Sequence, residues 1–188
     1  MSLANRISIF RILLAPFLLA SLLYYHPDRD WLRYVSLGLF LIGVVSDALD
    51  GFIARSRREQ SQLGAILDPI ADKLLILGAL ISLSTIKNLP PVLRIPAWFN
   101  LIVLSRDAIL IVGTMVIFGL TGTIAIRPTR TGKWAIAAQM LVVPVVLLMW
   151  PVKMACLIIA AALTVCSGIG YIRMGIQLLD PQHPKSSA

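Results

Sequence analysis

Three stretches of 19 residues, 108–126, 134–152 and 154–172, contain no charged side chain. At a rise of about 1.5 Å per residue, each can cross a hydrocarbon core of about 30 Å as a helix. The composition agrees, being 58% hydrophobic and 14% charged, against about 45–50% and 25% in an ordinary soluble domain. Reading the whole chain for apolar length gives six segments, 7–25, 34–55, 63–86, 96–120, 133–150 and 154–178, separated by short polar or turn-forming stretches. The sequence therefore predicts an all-α polytopic membrane bundle of six transmembrane helices, with residues 1–188 forming one domain.

The charge balance is lopsided, with 17 basic and 9 acidic residues and a net charge of +8. In a membrane protein such an excess marks loops facing anionic lipid, so no nucleic-acid partner is expected. Six spans put both termini on one side. That side carries Arg6, Arg11, Arg55, Arg57, Arg58, Arg127, Arg130, Lys133, Arg173 and Lys185, against Arg29, Arg33, Lys87, Arg94 and Lys153 opposite. The positive-inside rule then places the termini and the second-to-third and fourth-to-fifth loops in the cytoplasm, with a bacterial cytoplasmic membrane as the expected location. Arg11 inside the first segment argues against a cleaved signal peptide. Trp31, Trp98, Trp134 and Trp150 all fall near span ends, as an interfacial belt would. Cys156 and Cys166 offer no metal-ligand spacing and are expected in the core or facing lipid.

Five acids, Asp47, Asp50, Asp68, Asp72 and Asp107, lie within or at the ends of apolar segments. The charge-free parts of the second and third segments, 34–46 and 74–86, are only 13 residues each. To reach span length, each helix must include its aspartates. Charged groups within a membrane normally face the bundle interior or a watery cavity and mark function. Asp47 and Asp50 are three residues apart and Asp68 and Asp72 four, so each pair shares a helix face. The short 56–62 connection is expected to set the two helices side by side, with all four carboxylates near their cytoplasmic ends. Four such acids repel or protonate unless a cation holds them ionised, and all-oxygen ligation points to Mg²⁺, Mn²⁺ or Ca²⁺.

The pattern Asp47-x2-Asp50-Gly51-x2-Ala54-Arg55-x8-Gly64-x3-Asp68-x3-Asp72 matches every fixed position of the CDP-alcohol phosphotransferase signature. Asn5-x2-Ser8-x2-Arg11 followed by Pro16 resembles that family's N-terminal entry, and six spans is its usual architecture. The resemblance implies displacement of CMP from CDP-diacylglycerol by an alcohol, with Mg²⁺ or Mn²⁺, as two ions, held by the aspartates. It implies Asp47, Asp50 and Asp68 mainly as metal ligands and Asp72 as ligand and general base. Gly51, Ala54 and Gly64 would leave space for the cytidine nucleotide, with Arg55, Asn5 and, as a hydrogen-bond donor, Ser46 beside it. Relatives resemble homodimers.

Arg106, Arg127, Arg130 and Lys133 could form a basic pocket for an acceptor that carries phosphate. Arg106 lies ten residues into a span and needs a partner, while Asp107, about 100° around a helix, is not an obvious one. The stretch 128–133 and Gln139 look like the segment found in phosphatidylglycerophosphate synthases and related cardiolipin synthases. Ser105-Arg106-Asp107 looks more like the cardiolipin synthase version, and Thr114 stands where the other subgroup tends to carry a second arginine. A glycerol-type acceptor is expected, either glycerol 3-phosphate or phosphatidylglycerol, with inositol phosphate as the alternative. From another class, an ion-coupled secondary transporter would also use intramembrane charges. It should scatter them along a path and show two related halves, whereas these acids crowd at one face and no internal repeat is visible.

Overall fold

A computed structural model describes the backbone of residues 3–57, 62–121 and 129–179; of residues 3–6, 48–57, 62–70, 121 and 178–179 it describes the helix alone. Among the described residues there are six α-helices and no strand: α1 Leu3–Leu23, α2 Trp31–Arg57, α3 Gln62–Thr85, α4 Ala97–Thr121, α5 Arg130–Leu147 and α6 Lys153–Leu179. They fall on the six expected apolar segments. Two regions, Pro91–Leu120 and Lys153–Gln177, are long and apolar enough to cross a membrane by that measure alone. The aspartates and flanking arginines interrupt the apolar run of α2.

The chain divides into two compact units, Met1–Pro96 with Met140–Lys153, and Ala97–Gln139 with Met154–Ala188. In the first, α1 packs along both α2 and α3, whereas α2 and α3 touch each other at few described positions. The expected pairing of α2 with α3 beside their connection falls on stretches of which only the helix is described; among the described side chains each of the two also packs on α1. The reason lies in the face α1 presents. Ser8, Arg11, Leu14, Leu18, Ser21 and Leu22, spaced at three and four, are buried, while Phe10, Leu13, Phe17 and Leu23 are exposed. Polar groups turn inward and large apolar ones outward, the reverse of a soluble helix and the arrangement lipid favours. The Ser21 and Ser36 hydroxyls meet at 2.7 Å between α1 and α2.

In the second unit the same inversion holds. Asn100, Arg106, Gln139, Thr164 and Ser167 are buried, and Gln139 donates from Nε2 to Thr164 Oγ1 at 2.9 Å between α5 and α6. All four tryptophans are exposed at helix ends. Cys156 is half-buried and Cys166 exposed, both as free thiols.

The end of the first unit that carries the α1–α2 turn is fastened by basic side chains. Arg33 grips Asp30 with both oxygens, Nε to Oδ1 at 2.9 Å and Nη2 to Oδ2 at 2.7 Å. Its Nη1 donates to the Leu147 carbonyl at the end of α5, 2.9 Å away. There α5 stops in a left-handed residue, Met149 at φ 55°, whose neighbour Trp150 returns its N–H to the Val145 carbonyl at 3.1 Å. Lys153 Nζ donates to the Val92 carbonyl at 2.8 Å and to those of Pro91 and Arg94 at 3.3 Å. Arg94 Nε likewise donates to the Leu89 carbonyl at 2.8 Å, so three of the five bases assigned to this side by sequence, Arg33, Arg94 and Lys153, are also structural ties.

The hydrogen bond from Arg33 holds the Asp30 carboxyl below the usual carboxylate range. An acid with a lower pKa folded than unfolded stabilises the fold above its unfolded value, and that contribution disappears as pH falls through the folded one. In thermal melting of the detergent-solubilised chain, Asp30→Asn should be destabilising at pH 7. The gap to wild type should close as pH drops below about 4.

Candidate active site

Arg11 is the centre of the first unit. Its side chain is 1% exposed, and Nη1 donates to Asp47 Oδ1 on α2 at 2.7 Å and also to Asp72 Oδ1 on α3. Because one nitrogen serves both, the two carboxylate oxygens lie within about two hydrogen-bond lengths, roughly 6 Å, of each other. The Asp47 and Asp72 side chains are 35% and 31% exposed, so both acids remain reachable while the arginine is not.

One helical turn from this layer lies an apolar one that fixes the helix spacing. Leu14 follows Arg11 by three residues, Leu75 follows Asp72 by three, and Gly43 precedes Asp47 by four. A Cβ on Gly43 would sit 2.4 Å from Leu75 Cδ2 and 3.4 Å from Leu14 Cδ2. The missing side chain is what lets leucines of α3 and α1 close over α2. A turn further along α3, a Cβ on Gly78 would meet Leu19 Cδ2 at 3.2 Å.

The other expected donor-side residues take their places by register. Asp50 stands three positions beyond Asp47 on α2, and Asp68 four positions before Asp72 on α3. Asp50, Gly51, Ala54, Arg55, Asp68, Gly64 and Asn5 belong to the stretches of which only the helix is described. Ser46 Oγ donates back to the Ile42 carbonyl at 2.6 Å, so its one proton is committed within α2 and the expected donation to a nucleotide is not available in this conformation. Carboxylate oxygens brought from two helices to one point are the hard donor set that Mg²⁺ or Mn²⁺ takes. Asp47 and Asp72 are the two described acids of that kind; here each gives its Oδ1 to Arg11, and among the described residues no group of three ligands gathers.

The expected acceptor residues differ in exposure. Arg106 is buried in the second unit at 5% exposure, whereas Arg130 and Lys133 are exposed on the first turn of α5, and Arg127 lies outside the described residues. Contrary to the sequence expectation, Asp107 does partner Arg106: Nη1 reaches Oδ1 at 2.8 Å. An angular offset of about 100° separates the two Cβ directions, but the long arginine side chain bends across it. Arg106 Nη2 also approaches Ser167 Oγ at 3.3 Å, and its guanidinium lies 5.5 Å from the centre of the Tyr171 ring.

The sequence model of CDP-alcohol phosphatidyltransferases matches residues 1–166. The chain belongs to the CDP-alcohol phosphatidyltransferase family. It is 31% identical over 147 residues to the CDP-diacylglycerol–glycerol-3-phosphate 3-phosphatidyltransferase of Cereibacter sphaeroides, covering 78% of this chain and 63% of that one. To the enzyme of the same name from Haemophilus influenzae it is 32% identical, over 89% of this chain and 90% of the relative. A cardiolipin synthase (CMP-forming) of Oryza sativa is 29% identical over 78% of this chain and 46% of its own length. The matched range contains Asp47 and Asp72, the two acids that Arg11 joins.

Sequence reasoning assigned no site role to Arg11, Gly43, Thr129, Gly132 or Tyr171. Arg11 carried a usable signal, since a base inside an apolar segment needs a partner as much as Arg106 does. Replacing it leaves two acids facing one another in a bundle built around their common cation. Arg11→Met should cost about 3 kcal/mol of stability, with Arg11→Lys recovering part. Gly43→Val should cost about 1–3 kcal/mol by overpacking. Chemical or thermal melting of the purified variants measures both.

Proposed function

We propose that the chain is an integral membrane phosphatidyltransferase that moves the phosphatidyl group of CDP-diacylglycerol to the hydroxyl of a glycerol-type acceptor, releasing CMP for anionic phospholipid synthesis. The observation that carries this is the convergence of Asp47 and Asp72, from two different helices of the family signature, on one point. Glycerol 3-phosphate, named for the relatives from Cereibacter and Haemophilus, is the first acceptor to test, and phosphatidylglycerol the second. The two units work as one catalytic domain. The six helices span the bilayer, with both termini and the 56–62 and 121–132 connections on the cytoplasmic side, and the enzyme acts as a homodimer.

Asp47, Asp50 and Asp68 would hold Mg²⁺ or Mn²⁺ with Asp72, and the ions would supply positive charge against the pyrophosphate and the departing CMP. Gly51, Ala54 and Gly64 leave room beside the helices for the nucleotide, and Arg55 and Asn5 flank it. Ser46 joins them once its hydroxyl turns from Ile42. Asp72 takes the proton of the acceptor hydroxyl. The acceptor oxygen bonds to the phosphatidyl phosphorus as the bond from that phosphorus to the bridging oxygen breaks, and the electron pair leaves on CMP. Arg11 orients Asp72 and Asp47 through one nitrogen, and so positions the base. Arg106, Arg127, Arg130 and Lys133 attract the phosphate of the acceptor.

Asp72→Asn should abolish CMP release, a loss of at least about 100-fold, while CDP-diacylglycerol still binds in the presence of metal. Near-normal turnover in that variant would exclude Asp72 as the base. Chelation with EDTA should stop CMP release by the wild type and Mg²⁺ or Mn²⁺ should restore it, measured with glycerol 3-phosphate and phosphatidylglycerol offered separately. Metal-independent solute flux through liposomes with no CMP release would favour a transporter instead.

A further inference from the structure

Two carboxylates from different helices do not stay together in an apolar bundle unless positive charge stands between them. In the first unit that charge belongs to the chain itself. Arg11 comes from a third helix, α1, and its Nη1 serves Asp47 Oδ1 of α2 and Asp72 Oδ1 of α3 at once. A guanidinium stays protonated in proteins, and as part of the chain it cannot be diluted or chelated away.

The surroundings make Arg11 a fixture. Its side chain is 1% exposed, whereas those of Asp47 and Asp72 are 35% and 31% exposed. On the same face of α1 the neighbouring turns, at Ser8 and Leu14, are buried, and Leu14 closes onto Gly43 where leucines of α1 and α3 cover α2. The guanidinium is shut away from water while the acids it joins still meet it. A cation arriving from water therefore finds two carboxylates already engaged, from the buried side, by a charge of its own sign. Two cations on one pair of acids repel, so the one built into α1 weakens the hold on any other. It also frees the bundle from needing another. An acid pair held by a divalent ion alone would lose its cohesion whenever the ion left, because such an ion's binding energy is then folding energy.

We propose that Arg11 is a built-in counter-cation that stands in for a divalent ion between Asp47 and Asp72, keeping the site assembled without metal and lowering its affinity for metal. This rests on the metal-binding role of these acids in the phosphatidyltransferase function above. The test uses Mn²⁺ alone, without lipid or nucleotide. Binding to the purified, EDTA-stripped chain in detergent is measured by electron paramagnetic resonance of the free ion, and thermal melting is followed with and without Mn²⁺. Arg11→Gln removes the charge and keeps a hydrogen-bond donor, whereas Arg11→Lys keeps the charge and changes the shape. Without metal, Arg11→Gln should melt well below the wild type. It should bind Mn²⁺ at least about tenfold more tightly than the wild type, and the ion should restore most of its lost melting temperature. Arg11→Lys should bind Mn²⁺ within about threefold of the wild type. A merely structural arginine would leave Mn²⁺ affinity unmoved, and its loss would lower the melting temperature equally with and without the ion. An Arg11→Gln chain that folds in Mn²⁺ and unfolds on stripping supports the proposal in its extreme form. Wild-type or weaker Mn²⁺ affinity in Arg11→Gln, equal tightening in both variants, or an Arg11→Gln chain that stays unfolded in Mn²⁺ overturns it. CMP release is assayed separately. The expected Mn²⁺ pattern with no CMP release from any acceptor would sink the catalytic function and leave the counter-cation standing, and CMP release with Mn²⁺ affinity unmoved by Arg11→Gln would do the reverse.

Discussion

A buried guanidinium shared by two carboxylates is the constraint around which the first unit is built. Arg11 is enclosed, and a cation taken out of water is tolerated only when its partners come with it. Asp47 and Asp72 come from different helices, so satisfying Arg11 obliges α1 to lie against both α2 and α3. Once α1 takes that position, its own small and apolar residues, Leu14, Leu18 and Ser21, pack down the rest of the same face. The glycines at 43 and 78 then set how closely the leucines of the neighbouring helix enter. Electrostatics chooses the partners, and the apolar layer sets the distance.

The same logic explains why the surface looks wrong for water and right for lipid. In hydrocarbon, apolar side chains gain nothing by leaving the surface, so helices are held by close packing and by polar contacts between them. Ser21 with Ser36, Gln139 with Thr164 and Arg106 with Ser167 are such contacts, each joining two helices of one unit. Phe10, Phe17, Met115 and Ile176 remain outside. At the ends of the helices the rule changes, and there the exposed tryptophans and the carbonyl-binding Arg33 and Lys153 suit a boundary where water returns.

Much of this was legible in the residues, and the limit is physical. Apolar length located six helices to within a few residues, because helix length in hydrocarbon is set by local composition. The spacing of Asp47, Asp50, Asp68 and Asp72 announced a site because charge in an apolar run has to be explained. What stayed hidden was pairing across space. Arg11 read as one more base on the cytoplasmic side, and nothing local says that it meets Asp72, 61 residues away. The bend of Arg106 onto Asp107 could not be read from helical angles, which describe Cβ directions and not the reach of a long side chain. Gly132 lay in the singled-out stretch 128–133 without a role of its own, and Tyr171 lay in no motif. Their meaning arises only where three elements approach within contact distance.

Two charge arrangements follow from these placements, and they are opposite in kind. Among the described hydrogen bonds of the first unit's site, one guanidinium, Arg11, faces two carboxylates, Asp47 and Asp72. A site of that sign repels a pyrophosphate unless further positive charge is recruited, which is why carboxylate clusters of this sort take divalent cations. The second unit instead sets one buried guanidinium, Arg106, against one described carboxylate, Asp107. A chain whose donor and acceptor are both anionic gains from treating them differently. In the proposed reaction the side that stabilises the leaving group is the one that would recruit a cation, because the charge to be neutralised grows as CMP departs. In the proposed reaction an acceptor phosphate keeps its charge throughout, so its side meets no growing charge and has no such need.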